Sequence, residues 1–271
     1  MPVWLWMFVL GTASAWMTPR RLVVGGDPTT TCSRYLAGSS RTPALFAVTL
    51  KLAIDAQGAA ADLSATKSER FTCSEALDMV HRLRACSDAV LVGRGTVVVD
   101  DPSLLVRRGV QVEKQPLRVI LDPKLQLDKN YQIFTDQHLT ILCHGEEIDV
   151  ASTSLSSPTL DLLRVSQTSD GSLDLEELVE ALRTRYDVVD LMVEGGPSTA
   201  HGFLRAALVD RAILVHAPLT FQEPLDAGLS DDVMRRYGQE RLGDSVCGTD
   251  TLVYWSRPGL AWPTKELADW P

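Results

Sequence analysis

The chain has 271 residues, with 26 Lys and Arg against 35 Asp and Glu, a net charge of −9 and a pI of about 5.0. An acidic balance with 45% hydrophobic residues excludes a disordered chain and a basic protein that wraps nucleic acid. No apolar run reaches the roughly 18 residues of a spanning helix, which excludes a multi-pass membrane protein.

The six tryptophans stand only at the two ends, at Trp4, Trp6 and Trp16 and at Trp255, Trp262 and Trp270. Residues 1–41 read as a targeting presequence. Its signal-like part, 1–15, carries the apolar run VWLWMFVL and the small residues Ala13-Ser14-Ala15. Its transit-like part, 16–41, sets Arg20, Arg21, Arg34 and Arg41 against a single acid, Asp27. This two-part pattern resembles the plastid presequences of algae with secondary plastids, so a plastid is the expected location, ahead of the secretory pathway. Residues 42–257 read as one domain and 258–271 as a tail with little part in the core.

Within the domain, Phe46, Val48, Leu50, Leu52 and Ile54 alternate as a strand does. Thr72-Cys73-Ser74-Glu75 reads as a capping box, opening a helix with Ala76, Leu77, Val80 and Leu83 on one face. Ala89–Val92 is a buried-strand run that stops at Gly93; 117–121 and 139–142 are two more strands. A helix follows Gly171-Ser172, with Asp174, Glu176 and Glu177 in its first turn and Arg183 and Arg185 in its last, as the helix dipole favours. Strand 188–193, the Gly195-Gly196-Pro197 turn, helix 199–208 and strand 211–217 form a βαβ unit. Alternating strands and helices predict an α/β fold with a parallel or mixed sheet covered on both faces. Residues 223–241 are polar and poorly periodic.

Five cysteines, Cys32, Cys73, Cys86, Cys143 and Cys247, are scattered, odd in number and without C-x-x-C, so neither a disulfide framework nor a metal site is expected. Glu194-Gly195-Gly196-Pro197-Ser198 lies between a strand end and a helix start, where backbone N–H groups approach phosphate. Gly93-Arg94-Gly95-Thr96 repeats that arrangement, yet neither is a G-x-G-x-x-G or Walker fingerprint. Asp100-Asp101-Pro102 places two carboxylates ahead of a rigid turn. Arg84 and Arg107 could clamp a phosphate, or serve the helix dipole and solvent respectively. His81 reads as a packed or exposed histidine.

These motifs, in order, resemble the reductase domain of riboflavin-biosynthesis proteins, from about residue 43 to 256. The resemblance is carried by KLAIDAQG, SERFTCSEA, DAVLVGRGTVVVDDPSLLVR, QPLRVILD, VEGGPSTAHGFL, LVDRAILVHAP and RLGDSV. It implies a single dihydrofolate-reductase-like domain with a mixed sheet and helices on both faces. It also implies NADPH as cofactor, with hydride transfer to C1′ of a phosphoribosylamino-pyrimidine, either the aminouracil or its diamino-pyrimidinone precursor. By matching position, Ser68, Arg84, Leu104, Arg107 and Glu194 would contact substrate. Ala53, Arg70, Thr96, Asp100 and the run Gly196, Pro197, Ser198, Thr199, Ala200, His201 and Gly202 would contact NADPH. Asp100 and Glu194 would be catalytic. The implied partners are a separate deaminase and a second copy in a homodimer; nucleic acid, a metal and, in the mature form, a membrane are not expected. Gln57 and Pro123 depart from the family pattern, where an acid and a hydroxyl are usual. Two alternatives stand beside this reading: a related oxidoreductase acting on another pterin or pyrimidine, and a non-catalytic nucleotide-binding homologue.

Overall fold

The computed structural model describes residues 23–24, 46–64, 70–145, 155 and 157–271. The expected presequence lies outside these except for Val23–Val24, and Ser68 also lies outside them. In chain order the strands are β1 (Val23–Val24), β2 (Ala47–Ile54), β3 (Ala59–Asp62), β4 (Ala89–Gly93), β5 (Val110–Gln111), β6 (Leu117–Leu121) and β7 (Thr140–His144). They continue with β8 (Leu160–Arg164), β9 (Asp190–Val193), β10 (Arg211–His216), β11 (Pro224–Asp226), β12 (Glu240–Cys247) and β13 (Asp250–Ser256). The helices are α1 (Ser74–Cys86), α2 (Arg94–Asp100), α3 (Gln132–Thr135), α4 (Leu175–Tyr186), α5 (Pro197–Arg205) and α6 (Asp231–Arg236).

Nine strands form one mixed sheet in the order β12-β13-β10-β2-β9-β4-β6-β7-β8. From β10 to β8 every pairing is parallel; the β12–β13 hairpin closes one edge antiparallel. Two short pairs lie apart, β1 with β5 and β3 with β11. The period of two in the strands divides the core into two layers. Val48, Leu50, Leu52 and Ile54 of β2, with Ala89 and Leu91 of β4, pack with Leu178 and Leu182 of α4 and Ala200 and Phe203 of α5. Val90 and Val92 of β4 and Ile120 of β6 face the other way, onto Ala76, Met79, Val80 and Leu83 of α1 and Val97 of α2. Helices therefore cover both faces, as expected. Each fully buried Leu or Phe contributes about 1.5–3 kcal/mol, so these two layers are the main source of stability.

Helix starts follow local chemistry, with small shifts from expectation. The cap of α1 is Cys73 rather than Thr72: its sulfur accepts the Ala76 N–H at 3.4 Å, and its own N–H donates to Asp250 at 2.8 Å. Asp174 caps α4 by accepting from Glu176 and Glu177, both at 3.0 Å, so Gly171-Ser172 forms the preceding turn rather than the first helical residues.

Two expectations, on the tail and on the cysteines, need correction, and the stretch 223–241 gains a structure. The tail is not peripheral: Trp262 and Trp270 meet edge to face at 5.2 Å, Trp262 packs on Tyr254, and Trp270 lies under Arg211. Arg82 of α1 also donates to the Pro271 carbonyl at 2.9 Å, and Leu267 joins the α1-side layer. Apolar tryptophans bury against a sheet edge whether or not they follow a period. The polar stretch 223–241 holds β11 and α6, the latter anchored by fully buried Met234. Cys86 is disulfide-bonded, while Cys73, Cys143 and Cys247 are free thiols.

Candidate active site

Strands β4 and β9 are parallel neighbours whose connections leave in opposite directions. From β4 the chain passes through α2, on one face, to β6; from β9 it passes through α5, on the other face, to β10. Such a switch point opens a crevice at the carboxyl ends of the strands. The cleft found there has a volume of 2020 Å³, well above the roughly 300–1,000 Å³ of a single small-ligand site. It has room for two ligands side by side.

Both glycine motifs lie at this crevice. A methyl group on Gly93 would stand 2.7 Å from the Thr199 hydroxyl, and one on Gly195 2.6 Å from Thr199 Cβ, so only glycine fits at either place. Gly95 and Gly196 instead face open space, with no atom within 4 Å of such a methyl. The N-terminus of α5 has Gly196 as its cap, with no side chain on its free N–H groups, and Pro197 in the first turn. Uncapped amides beside an open glycine suit a phosphate or pyrophosphate. The residues present therefore fit the phosphate-bearing part of a dinucleotide.

In the same cleft, Arg84 of α1 and Glu194, which follows β9 just before Gly195, form a two-pronged ion pair. Arg84 Nε donates to Oε2 at 2.8 Å and Nη2 to Oε1 at 2.9 Å, and Nη1 donates to the Leu105 carbonyl at 3.1 Å. Three of the five N–H groups of a guanidinium are thus committed to protein oxygens. Arg84 first holds Glu194 and the loop after α2, and is not a free clamp. Burial pushes Glu194 up, but the charge and hydrogen bonds of Arg84, with Lys51 behind them, outweigh it and hold the carboxyl below its usual range.

Lys51 is the group that sequence reasoning missed. It stands on β2 on the face opposite Leu50 and Leu52, and lines the cleft. Burial pulls its ammonium below the ordinary lysine value; Glu194 resists, Arg84 reinforces, and Asp100 and Asp250 resist. It has no hydrogen bond or ion pair among the described residues. Its signal in the sequence was the lone charge in an interior strand, AVTLKLAI, where an unpaired cation is costly.

The loop after α2 carries the next group of residues. Asp100 ends α2, is exposed, and lines the cleft. Asp101 turns the chain in the left-handed region at φ 38° and accepts the Gln132 N–H at 2.8 Å. Leu104 is also left-handed, at φ 54°, although it is buried, a conformation that costs a bulky residue about 1–3 kcal/mol. Fully buried Arg118 holds this loop from below, donating to the Ser103, Ile133 and His138 carbonyls and to both oxygens of Asp136. Arg107 projects from the loop with its guanidinium unpaired among the described residues. Its backbone N–H donates to His81 Nδ1 at 2.8 Å.

Of the expected site residues, Ala53, Arg70, Arg84, Thr96, Asp100, Leu104, Arg107, Glu194, Gly196, Pro197, Ser198, Thr199 and Gly202 all line this one cleft. Ala200 and His201 do not. On α5 they turn away from it: Ala200 is fully buried in the core, and His201 bonds Tyr237 at 3.1 Å and the Ala227 carbonyl at 2.9 Å. Of the two departures, Gln57 is exposed and off the cleft wall, whereas Pro123 is part of it. Phe71 and Phe221, packed edge to face at 4.9 Å, add an aromatic wall that the sequence did not single out.

A parallel-sheet crevice that combines a phosphate cradle with a buried charged cluster defines a two-ligand cleft of the α/β class. The chain belongs to the RibD C-terminal domain family, whose model matches residues 47–225. It is 35% identical over 182 residues to the riboflavin biosynthesis protein RibD of Aquifex aeolicus, covering 67% of this chain and 49% of that one. It is 32% identical over 161 residues to the 2,5-diamino-6-ribosylamino-4(3H)-pyrimidinone 5′-phosphate reductase of Archaeoglobus fulgidus, covering 56% of this chain and 72% of that one. The chain spans about half the length of the RibD proteins it matches. Among solved structures, the deaminase/5-amino-6-(5-phosphoribosylamino)uracil reductase of Thermotoga maritima superposes with a TM-score of 0.62 at 26% identity, covering 79% of this chain and 57% of that one. The riboflavin biosynthesis reductase of Saccharomyces cerevisiae has the same fold, with a TM-score of 0.62 at 19% identity over 80% of this chain and 92% of that one.

Proposed function

We propose that this chain is a NADPH-dependent reductase of riboflavin biosynthesis that reduces C1′ of a phosphoribosylamino-pyrimidine to the ribitylamino product. The observation that carries this reading is that the Lys51–Glu194–Arg84 cluster and a glycine-walled phosphate cradle line one cleft, joined through Glu194-Gly195-Gly196. The names of the RibD and pyrimidinone-phosphate reductase relatives support it. The location and partners follow the sequence reading: import into a plastid, a deaminase on another chain, and a homodimer.

A nicotinamide cofactor supplies the hydride when bound. The uncapped start of α5 and Gly196 would hold its phosphates, and Ala53, Thr96 and Asp100 line the same cleft. Reducing the ring-opened imine of a ribosylamine also requires a proton on nitrogen. Lys51, whose proton is loosened by burial, is the acid best placed to supply it. Glu194, held as a carboxylate, can accept a hydrogen bond from an N–H of the pyrimidine but does not donate. Asp100, exposed at the mouth, positions the reacting groups.

The test is oxidation of NADPH by the purified chain in the presence of each phosphoribosylamino-pyrimidine. Substrate-dependent loss of cofactor absorbance, abolished in Lys51→Met, is expected. Cofactor binding without turnover on either pyrimidine would sink this reading in favour of a non-catalytic homologue.

A further inference from the structure

His81 lies on α1, three residues before Arg84; it is 8% exposed and walls the cleft. Its Nδ1 accepts the Arg107 backbone N–H at 2.8 Å. A ring nitrogen that accepts carries no proton, so the neutral imidazole bears its hydrogen on Nε2. That N–H has no protein acceptor among the described residues.

The charges around the ring are unequal. Arg84 is balanced by Glu194, and Arg108 by Asp78, with which it is hydrogen-bonded. Arg107 alone keeps an uncompensated guanidinium. Among the described residues around the ring, this corner of the cleft therefore offers the Arg107 guanidinium and a neutral N–H, and its nearby carboxylates Glu194 and Asp78 are already engaged. A ligand group with several acceptor oxygens and negative charge satisfies both donors, as a phosphoryl group does.

We propose that His81, through Nε2–H, donates directly to the phosphoryl group of the substrate, beside the Arg107 guanidinium. The proposal rests on the reading that the substrate is phosphorylated. One imidazole then has two tasks: Nδ1 seats the loop that carries Arg107, and Nε2 contacts the ligand that Arg107 attracts. A neutral donor suits a corner that already holds three guanidinium groups.

Two substitutions separate the nitrogens. His81→Asn keeps an oxygen near Nδ1 to accept from Arg107 but has nothing at Nε2. His81→Gln places an amide N–H near Nε2 but has no acceptor at Nδ1. The readout is calorimetric titration of the full chain with ribose 5-phosphate, with ribose as control, alongside melting temperature and cofactor binding. His81→Asn is expected to weaken ribose 5-phosphate binding about 10- to 100-fold, the loss of one hydrogen bond to a charged group. Binding of the cofactor should not change, and His81→Gln should bind within about threefold of the parent chain.

The proposal is overturned if His81→Asn binds ribose 5-phosphate as tightly as the parent, or if His81→Gln loses as much as His81→Asn. It is also overturned if the parent chain binds ribose 5-phosphate no better than ribose. Should His81→Asn fail to fold, His81→Gln decides: retained binding supports the proposal and lost binding overturns it. Because turnover plays no part, a chain that binds phosphate through His81 but oxidises no cofactor would count against the reductase reading alone.

Discussion

Glu194→Gln removes the carboxylate that pairs with Arg84 and acts most strongly on Lys51, and leaves two cations in the cleft without it. Breaking a buried ion pair from one side costs roughly 3–5 kcal/mol. The Arg84 and Glu194 side chains are only 11% and 14% exposed, so solvent screening takes little from that figure. The amide oxygen still accepts one bond from Arg84, which returns about 1 kcal/mol. A net loss of about 2–4 kcal/mol remains, equivalent to a fall of about 4–16 °C in Tm for a domain of this size. Melts of parent and variant across pH are the assay. Because the folded value of Glu194 lies below the usual 4.5, its contribution is fully present above pH 4.5 and is lost as pH falls through the folded value. The two melting curves should therefore converge in acid. In the reductase assay the same variant should lose about 100-fold or more in kcat/KM, as expected when a fixed charge leaves a reacting site. Equal melting temperatures at pH 7, or a gap that stays constant into acid, would refute the assigned ion-pair energetics.

The glycine cradle makes a paired prediction. Gly195→Ala drives a methyl against Thr199 and should destabilise by about 1–3 kcal/mol, whereas Gly196→Ala meets no protein atom and should leave Tm unchanged while weakening cofactor binding about tenfold in a titration. Arg118→Met removes a fully buried cation from Asp136 and should cost about 3–5 kcal/mol in denaturant unfolding, with protease sensitivity appearing first in residues 101–109. His81 has a folded pKa of about 4 against an ordinary 6.5, lowered by burial and by Arg84. The unfolded chain therefore takes up that proton first, and about 2–3 kcal/mol of stability should drain away between pH 6.5 and 4 in denaturant titrations, a slope that His81→Asn flattens. Trp270→Ala should lower Tm by several degrees, because the ring packs against both Trp262 and Arg211.

The legible parts of the fold were those in which one residue pattern had one physical outcome. Alternation over 45–54 could only bury Leu50 and Leu52 on one face of a strand, and Glu176, Glu177, Arg183 and Arg185 could stabilise only a helix running in that direction. Helix α2 was hidden for the opposite reason. Thr96-Val97-Val98-Val99 is a β-branched run that favours a strand. It is helical because Val97 alone reaches the core, while Val98 and Val99 remain 43% and 61% exposed along the cleft. In the site, the resemblance named Arg84 and Glu194 separately, yet their pairing across β9 and α1 exists only in three dimensions. Lys51 is hard to read in the sequence because the strand pattern is set by the apolar face opposite to it. Ala200 and His201 belong to a contiguous run in the sequence, but a helix turns successive residues away from any one wall.

The position of β2 governs how this molecule can come into being. It is an interior strand, fourth of nine in the sheet, yet both its neighbours, β9 and β10, come from the last third of the chain. During synthesis Lys51 and its apolar strand emerge early and find no partner until residues 190–216 have followed. Non-local parallel pairing of this kind is slow and leaves hydrophobic edges exposed meanwhile. The Lys51–Glu194–Arg84 cluster is thus among the last features to assemble, and a truncated chain ending before residue 190 would hold Arg84 and Asp100 but lack both Glu194 and the strands that flank Lys51.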